Sequence, residues 1–170
     1  MQTKKDKLKL YVTNNIDKIY RLAFSYVKNQ QDAEDIVNES IKKALYSINS
    51  LKNEYYMSTW LYRIVVNTAN SYLKSKSKII YLDEQIEDSL IIEDTHQDTD
   101  LYNLVMELEP KYRIVIILKF YEDMTFEQIA NILNENVNTI KTRLYKALNK
   151  LKIELCKEED PDERIHIWKS

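Results

Sequence analysis

TFEQIANILNENVNTIKTRLYKALNKLK, residues 125–152, is the stretch whose reading decides the fold. Thr125 followed by Gln128 is the reciprocal capping pair that opens a helix, and Phe126, Ile129, Ala130 and Leu133 then make one apolar face. A second apolar face follows at Ile140, Leu144, Ala147, Leu148 and Leu151. The turn between them has no glycine. Asn134 stands where the chain must enter the left-handed region, which asparagine tolerates best among residues with a side chain, and Asn138 is placed to cap the second helix. Two short helices crossing at the small Ala130 describe a helix-turn-helix, whose second helix suits the major groove of DNA. Lys141, Thr142, Tyr145 and Lys146 share the surface opposite Ile140, Leu144 and Leu148, and are the groove-reading candidates. Arg143, Lys150 and Lys152 suit phosphates. A core helix with a lysine-rich solvent face would show the same pattern.

Composition narrows the chemistry. The chain has 170 residues, 44% of them apolar, which is enough for one ordinary domain or two small ones. Glycine is absent, so phosphate-cradling loops and dinucleotide fingerprints are excluded. The single Cys156 cannot form an internal disulfide and has no Cys or His at ligand spacing, so no metal or other cofactor is expected. His96 and His166, the only histidines, stand apart from any nucleophile, which argues against an enzyme. MQTKKDKLKLYV leads into no apolar signal core, and no run approaches the ~18 apolar residues of a membrane span; the expected location is cytoplasmic.

The net charge of −2 conceals an uneven distribution. Residues 1–78 carry 14 basic and 7 acidic groups, whereas residues 79–100 carry 8 acidic groups and no basic one. Residues 101–155 return to 8 basic and 7 acidic, and residues 156–170 hold 3 and 5. Each of the two larger parts concentrates its positive charge on a helix without acids: Arg63, Lys74, Lys76 and Lys78 between Thr59 and Lys78, and Lys141, Arg143, Lys146, Lys150 and Lys152 between Asn138 and Lys152. Two such helices favour a polyanionic partner.

Periodicity gives an all-α protein of two small helical domains, residues 1–78 and 101–155, joined by an acidic linker over 79–100 and followed by a tail, 156–170, of no assigned role. Four helices are expected in the first part, three of them delimited by pattern. One runs from Leu8 to Val27 with Val12, Ile16, Ile19, Tyr20, Ala23 and Tyr26 inward. The next, Asp32 to Leu51, has Ala33, Ile36, Val37, Ser40, Ile41, Ala44 and Ile48 on one side, and the third runs from Thr59 to about Lys76. Asp32, Glu34 and Asp35 at the start of the second suit the helix dipole. In the second part Pro110 opens a helix; the apolar run Ile114 to Leu118 is divided between strand and helix by propensity alone, but its flanks and the all-helical context favour a buried helix.

YRLAFSYVKNQQDAEDIVNESIKKAL, STWLYRIVVNTANSYLKSKSK and LEPKYRIVIILKFYEDMTFEQIANILNENVNTIKTRLYKALNKLK together resemble regions 2 and 4 of the extracytoplasmic-function sigma factors of bacterial RNA polymerase. The resemblance runs in order through about Leu155. Within the family, KNQQDAEDIVNESIKKAL and ENVNTIKTRLYKAL are most similar to the sigma-V branch, which is associated with envelope stress. The resemblance implies that Asp35, Asn38 and Glu39 bind the coiled coil of the largest core polymerase subunit. It implies that the loop Lys52 to Ser58 captures a base flipped from the minus-10 element, and that Trp60, Arg63, Asn67, Asn70 and Lys74 contact the melted strand. Trp60, Tyr62 and Tyr72 suit core packing equally well. Lys141, Thr142, Arg143, Tyr145, Lys146 and Lys150 would bind the minus-35 element of promoter DNA. Lys at positions 141 and 146, where relatives often have Arg, lacks the planar fork that grips guanine. An anti-sigma factor, often membrane-anchored, is the further implied partner. The alternative is a one-component helix-turn-helix regulator, which would need a ligand domain in residues 1–78.

Overall fold

The computed structural model describes residues 1–80 and 99–158, and all regular structure among them is helical. The first part holds three α-helices: α1 (Lys4–Val27), α2 (Gln30–Ser47) and α3 (Met57–Ile80). In place of a fourth helix, two short 3-10 turns, Ile48–Ser50 and Glu54–Tyr56, carry the chain from α2 to α3. The second part holds α4 (Thr99–Glu107), α5 (Pro110–Ile116), α6 (Phe126–Leu133) and α7 (Val137–Glu158). The acidic segment falls largely on residues 81–98, and the tail largely on 159–170, both outside the described residues.

Local chemistry sets each boundary. Thr3 and Asp6 form a capping box that starts α1 four residues before the apolar pattern becomes visible. Lys28 ends the helix in the left-handed region, its N–H donating to the Phe24 carbonyl at 2.8 Å. Midway, Asn15 leaves helical geometry (φ −126°, ψ 17°) while its amide donates to the Tyr11 carbonyl at 2.8 Å. A side chain that competes for the backbone ladder bends a helix in this way. The inward face turns at the bend, so Ile19, Ala23 and Tyr26 are buried as expected, Leu22 joins them, and Ile16 is 39% exposed.

Asn29 caps α2 by accepting from the Asp32 N–H at 2.9 Å, which moves the helix start two residues ahead of the expected one. Asp32 does more than face the helix dipole. It accepts from the Tyr72 hydroxyl at 2.6 Å and pairs with Lys76, tying the start of α2 to the end of α3. Burial raises the Asp32 carboxyl, but hydrogen bonds from Asn29, Lys76 and Tyr72, with the Lys76 charge, outweigh it and hold the pKa below its ordinary 3.8. Lys76 is therefore neutralised in part, and Tyr72 is structural.

Pro110 is the first residue of α5. The run Ile114 to Leu118 is helical and wholly buried, which is why no helical period marked it. Its continuation, Ile117–Tyr121, widens to a π-helical turn, with the Glu122 N–H bonded to the Ile117 carbonyl at 3.0 Å. Both halves of the Thr125–Gln128 capping box are present, at 2.8 and 3.2 Å. Asn134 takes φ 53°, ψ 48°, and the Glu135 N–H reaches back to the Ala130 carbonyl at 2.9 Å, a Schellman closure made without glycine. The cap of α7 corrects the sequence reading. Asn136, not Asn138, holds that place: its side chain accepts from the Asn138 N–H at 2.7 Å and its carbonyl from the Ile140 N–H at 3.1 Å.

The two helical units share one continuous apolar core. Arg113, 4% exposed, sits where they meet: Nε donates to the Ser25 carbonyl at 2.6 Å and Nη1 to those of Met106 and Leu108 at 3.0 and 2.9 Å. Those carbonyls belong to the C-terminal ends of α1 and α4, where helices lack internal donors and carry partial negative charge. Close by, the Glu122 carboxylate is fully buried and accepts from the Tyr62 hydroxyl at 3.0 Å and from Arg21 at 3.1 Å. Burial pushes its pKa up against the Tyr62 bond and the Arg21 and Lys18 charges.

Asn134→Gly is expected to leave thermal unfolding nearly unchanged, whereas Asn134→Val should cost about 1–3 kcal/mol by forcing a β-branched residue into the left-handed region. For Asp32 the folded pKa is the lower one, so its stabilisation is present above 3.8 and lost as pH falls through the folded value. Asp32→Ala should lower stability at neutral pH by about 1–2 kcal/mol and remove that acid-side loss in denaturant melts taken from pH 7 to 3.

Candidate nucleic-acid interface

Helix α7 packs on α5 and α6 through Ile140, Leu144, Ala147 and Leu151, all buried, while Leu148 stays 38% exposed at the edge of that face. The opposite surface carries Lys141, Thr142, Tyr145 and Lys146, all exposed. Tyr145 keeps 64% of its surface in solvent, so its ring contributes little to the core. The Lys141 ammonium lies 5.5 Å from the centre of the Phe126 ring, and Lys119, which sequence reasoning passed over, lies 4.8 Å from the same ring. The first turn of α6 thus gathers a second lysine beside the recognition surface. Its signal in the sequence was only an isolated Lys in an apolar helix.

The phosphate candidates separate. Arg143 is half-buried and donates to Glu135 at 2.8 Å, bracing the turn from within; Glu135 is thereby engaged rather than merely solvent-facing. Lys150 turns back toward α5, 3.9 Å from Glu109 and 5.5 Å from the Tyr112 ring centre. Neither is as available as Lys141 or Lys146.

On α3, Trp60, Arg63, Asn67, Asn70 and Lys74 follow one another at three- and four-residue spacing and so form one stripe along the helix. Arg63, Asn67, Asn70 and Lys74 are exposed. Trp60 is half-buried against the core, whereas Tyr62, 1% exposed, is not free for stacking on bases. Arg63 donates to the Asn131 side chain of α6 at 3.3 Å, a contact between the two units. On α2, Asp35, Asn38 and Glu39 are all exposed, opposite buried Ala33, Ile36, Val37, Ser40 and Ala44.

The loop from Lys52 to Ser58 borders a cleft of about 360 Å³ lined by Leu10, Tyr11, Asn14, Asn15, Tyr55 and Met57, among others. Lys7 and Glu54 pair at 2.5 Å across its edge. Tyr55 and Tyr56 meet edge to face, ring centres 5.3 Å apart, and remain 82% and 57% exposed. Aromatic rings beside amide side chains offer both stacking and hydrogen bonding to a base. The α1 side of this cleft was not legible in the sequence, because it depends on the bend at Asn15. Among the described residues no group of three or more His, Cys, Asp or Glu is placed to hold a metal ion, and no helix is long and apolar enough to cross a membrane.

Comparison with known proteins agrees with this division. Residues 11–79 match the family model for sigma-70 region 2, and residues 98–151 the model for sigma-70 region 4. The chain is 47% identical over 160 residues to the RNA polymerase sigma factor SigV of Bacillus subtilis, covering 93% of this chain and 96% of that protein. It is 32% identical over 156 residues to the ECF sigma factor SigW of the same organism, covering 82% and 83%. Among solved structures it resembles the sigma factor RpoE of Bartonella quintana in complex with the anti-sigma factor NepR, with TM-score 0.78, 23% identity and coverage of 91% and 99%. CnrH in complex with the cytosolic domain of CnrY follows with TM-score 0.65, 17% identity and 89% of each chain. At those identities the structural likeness is one of fold.

Binding to duplex DNA, measured by fluorescence anisotropy across salt concentrations, should weaken with salt. Lys141→Ala and Lys146→Ala, at groove-facing positions, should each weaken binding by about 1–3 kcal/mol. Arg143→Ala should change it less, because its guanidinium is already held by Glu135.

Proposed function

The chain belongs to the extracytoplasmic-function sigma factors of the sigma-70 family, and from that premise we propose how its surfaces divide the work of promoter recognition. As an RNA polymerase sigma factor it acts in transcription initiation and is not an enzyme. A one-component regulator would need a ligand domain at residues 1–78, a segment that instead matches region 2.

Helix α7 enters the major groove of the minus-35 element with Lys141, Thr142, Tyr145 and Lys146 toward the bases, while Lys150 and Arg143 serve the flanking phosphates after exchanging their present partners. The observation that carries this reading is the exposed four-residue face of α7, set on a helix-turn-helix whose turn is closed by Asn134. Arg63, Asn67, Asn70 and Lys74 of α3 follow the melted minus-10 strand. The cleft beside Tyr55 receives a base flipped from it, its aromatic and amide walls supporting that role. Trp60, at the start of the same stripe and half-buried, keeps part of its ring toward that strand while the rest packs on the core. Asp35, Asn38 and Glu39 present carboxylates and an amide to the coiled coil of the largest polymerase subunit. Residues 1–78, 79–100, 101–155 and 156–170 then correspond to region 2, linker, region 4 and tail.

The crystallised fold relatives are each bound to an anti-sigma factor or its partner's cytosolic domain, which supports an anti-sigma partner for this chain as well. With the identity to SigV, this favours a cytoplasmic protein held, until a signal arrives, by a membrane-anchored inhibitor in an envelope-stress response.

The pure protein added to core polymerase should start transcription from a cognate promoter in a run-off assay. Lys146→Ala should weaken minus-35 recognition by about 1–3 kcal/mol while leaving capture of core polymerase intact. Core enzyme that stays silent on a genomic promoter library at saturating protein would refute the reading.

A further inference from the structure

The basic opening of the chain, MQTKKDKLKLYV, has no part in the functions assigned above, and its first ten residues precede the segment that matches region 2. The fold nevertheless gives two of its lysines a definite place. The Thr3–Asp6 capping box starts α1 early enough to make helix of this stretch. Lys4, Lys7 and Tyr11, spaced three and four apart, then share one side of α1, and all three are half-buried. That side faces the loop between α2 and α3. Lys4 Nζ donates to the Leu51 carbonyl at 2.7 Å, and Lys7 Nζ to the Glu54 carboxylate at 2.5 Å.

Each bond meets a need of the loop. Leu51 follows the 3-10 turn Ile48–Ser50, and carbonyls at such an end lack internal donors and carry partial negative charge. The Lys4 ammonium supplies both donor and charge. Leu51 and Met57 are buried and anchor the two ends of the loop in the core, but Lys52, Asn53, Tyr55 and Tyr56 between them are exposed. Bonds within the loop reach only two or three residues: the Tyr55 N–H to the Asn53 side chain at 3.0 Å and the Tyr56 N–H to the Asn53 carbonyl at 3.1 Å. They shape the turn without fixing its distance from α1. The Lys7–Glu54 pair does fix it, because it bridges the α1 wall of the cleft, with Leu10, Tyr11 and Asn14, to the loop wall, with Tyr55 and Met57.

We propose that Lys4 and Lys7 are positioning residues for base capture: they hold the loop Lys52 to Ser58 at the distance from α1 at which the cleft takes up one unstacked base. This rests on the assignment of the cleft to a flipped minus-10 base made above. Neither lysine reads the base. A pair as exposed as Lys7 and Glu54 adds little to global stability, so its effect falls on a segment with few buried contacts. Width matters there, since a gap of about 1 Å beside a ring forfeits up to roughly half of the dispersion contact on that side. Both ammoniums already have partners, which sets them apart from lysines free to hold phosphates.

The test uses holoenzyme assembled from core polymerase and the full-length chain, bound to fork-junction DNA from the promoter that the run-off assay identifies. Its minus-10 non-template strand is single-stranded, and an abasic site is moved along it one position at a time. Wild type should lose about tenfold in affinity at the captured position. Lys4→Ala and Lys7→Ala should each shrink that loss to about threefold, with the losses at other positions, capture of core polymerase and helicity unchanged. Lys7→Glu and Glu54→Lys should each behave in the same way, and the reversed pair carrying both should recover the tenfold loss. In the free protein, amide hydrogen exchange over residues 52–56 should rise in the single variants and fall again in the reversed pair. A tenfold loss that survives both lysine variants overturns the proposal, as does a folded reversed pair that recovers nothing. Weaker binding by the same factor at every position, with the tenfold loss kept, would make the lysines phosphate contacts and overturn it too. No position-specific loss in wild type would overturn the cleft assignment and this proposal with it, whereas unchanged exchange in the variants overturns the positioning role alone.

Discussion

The fold turns on how one buried charge is held, among the described residues, by carbonyls rather than by an acid. Arg113 lies almost wholly inside, and its donors go to three carbonyls at the ends of α1 and α4. An unpaired buried cation is costly, but helix C-termini supply both the acceptors and the negative end of the dipole. The same carbonyls would otherwise be buried without donors. Each side thus satisfies the other's need. Because Ser25 belongs to the first unit while Met106 and Leu108 belong to the second, the bond that orders α4 against α5 also seats the second unit on α1.

Around that point the charged residues divide by whether they have a partner. Asp32 with Lys76, Glu122 with Arg21 and Glu135 with Arg143 are committed to holding the structure. Lys141 and Lys146 on α7 and Lys74 on α3 are exposed and point away from the core, Lys74 beside the neutral amides of Asn67 and Asn70. A net charge of −2 therefore coexists with two surfaces suited to nucleic acid. The same partition explains why composition misleads: neutralised Arg143 counts in a sum as much as available Lys146 does. The likeness to sigma factors and the exposed face of α7 support the same assignment from independent directions.

Much was legible in the residues themselves where the cause is local. Asn134 in the left-handed region, the Thr125–Gln128 capping box and Pro110 at a helix start all depend on neighbours within a few positions. Two readings failed. Asn138 was expected as the cap of α7, but the helix starts two residues sooner, at Val137, and Asn136 is the cap. Ile16 was placed in the core by period alone, and the bend at Asn15 rotates it out. Ile114 to Leu118 is the buried helix its flanks favoured, although burial on every side left it no readable period. Of the candidate DNA contacts, Lys141, Thr142, Tyr145 and Lys146 lie together as their spacing required, whereas Arg143 and Lys150 are drawn off by acids that only the folded chain brings near.

The sequence by itself determined that the chain is helical, that Pro110 opens one helix and the Thr125–Gln128 box another, and which face of α7 meets solvent. Those properties follow from capping, backbone preference and a repeat of 3.6, all of which act over a few residues. Tertiary structure alone decided that Glu122 of one unit meets Arg21 and Tyr62 of the other, that Asp32 joins α2 to α3, and that Arg63 is held by Asn131. Their partners stand 40 to 101 positions away along the chain. No propensity acts over that distance, and only packing of the finished helices brings such groups within reach.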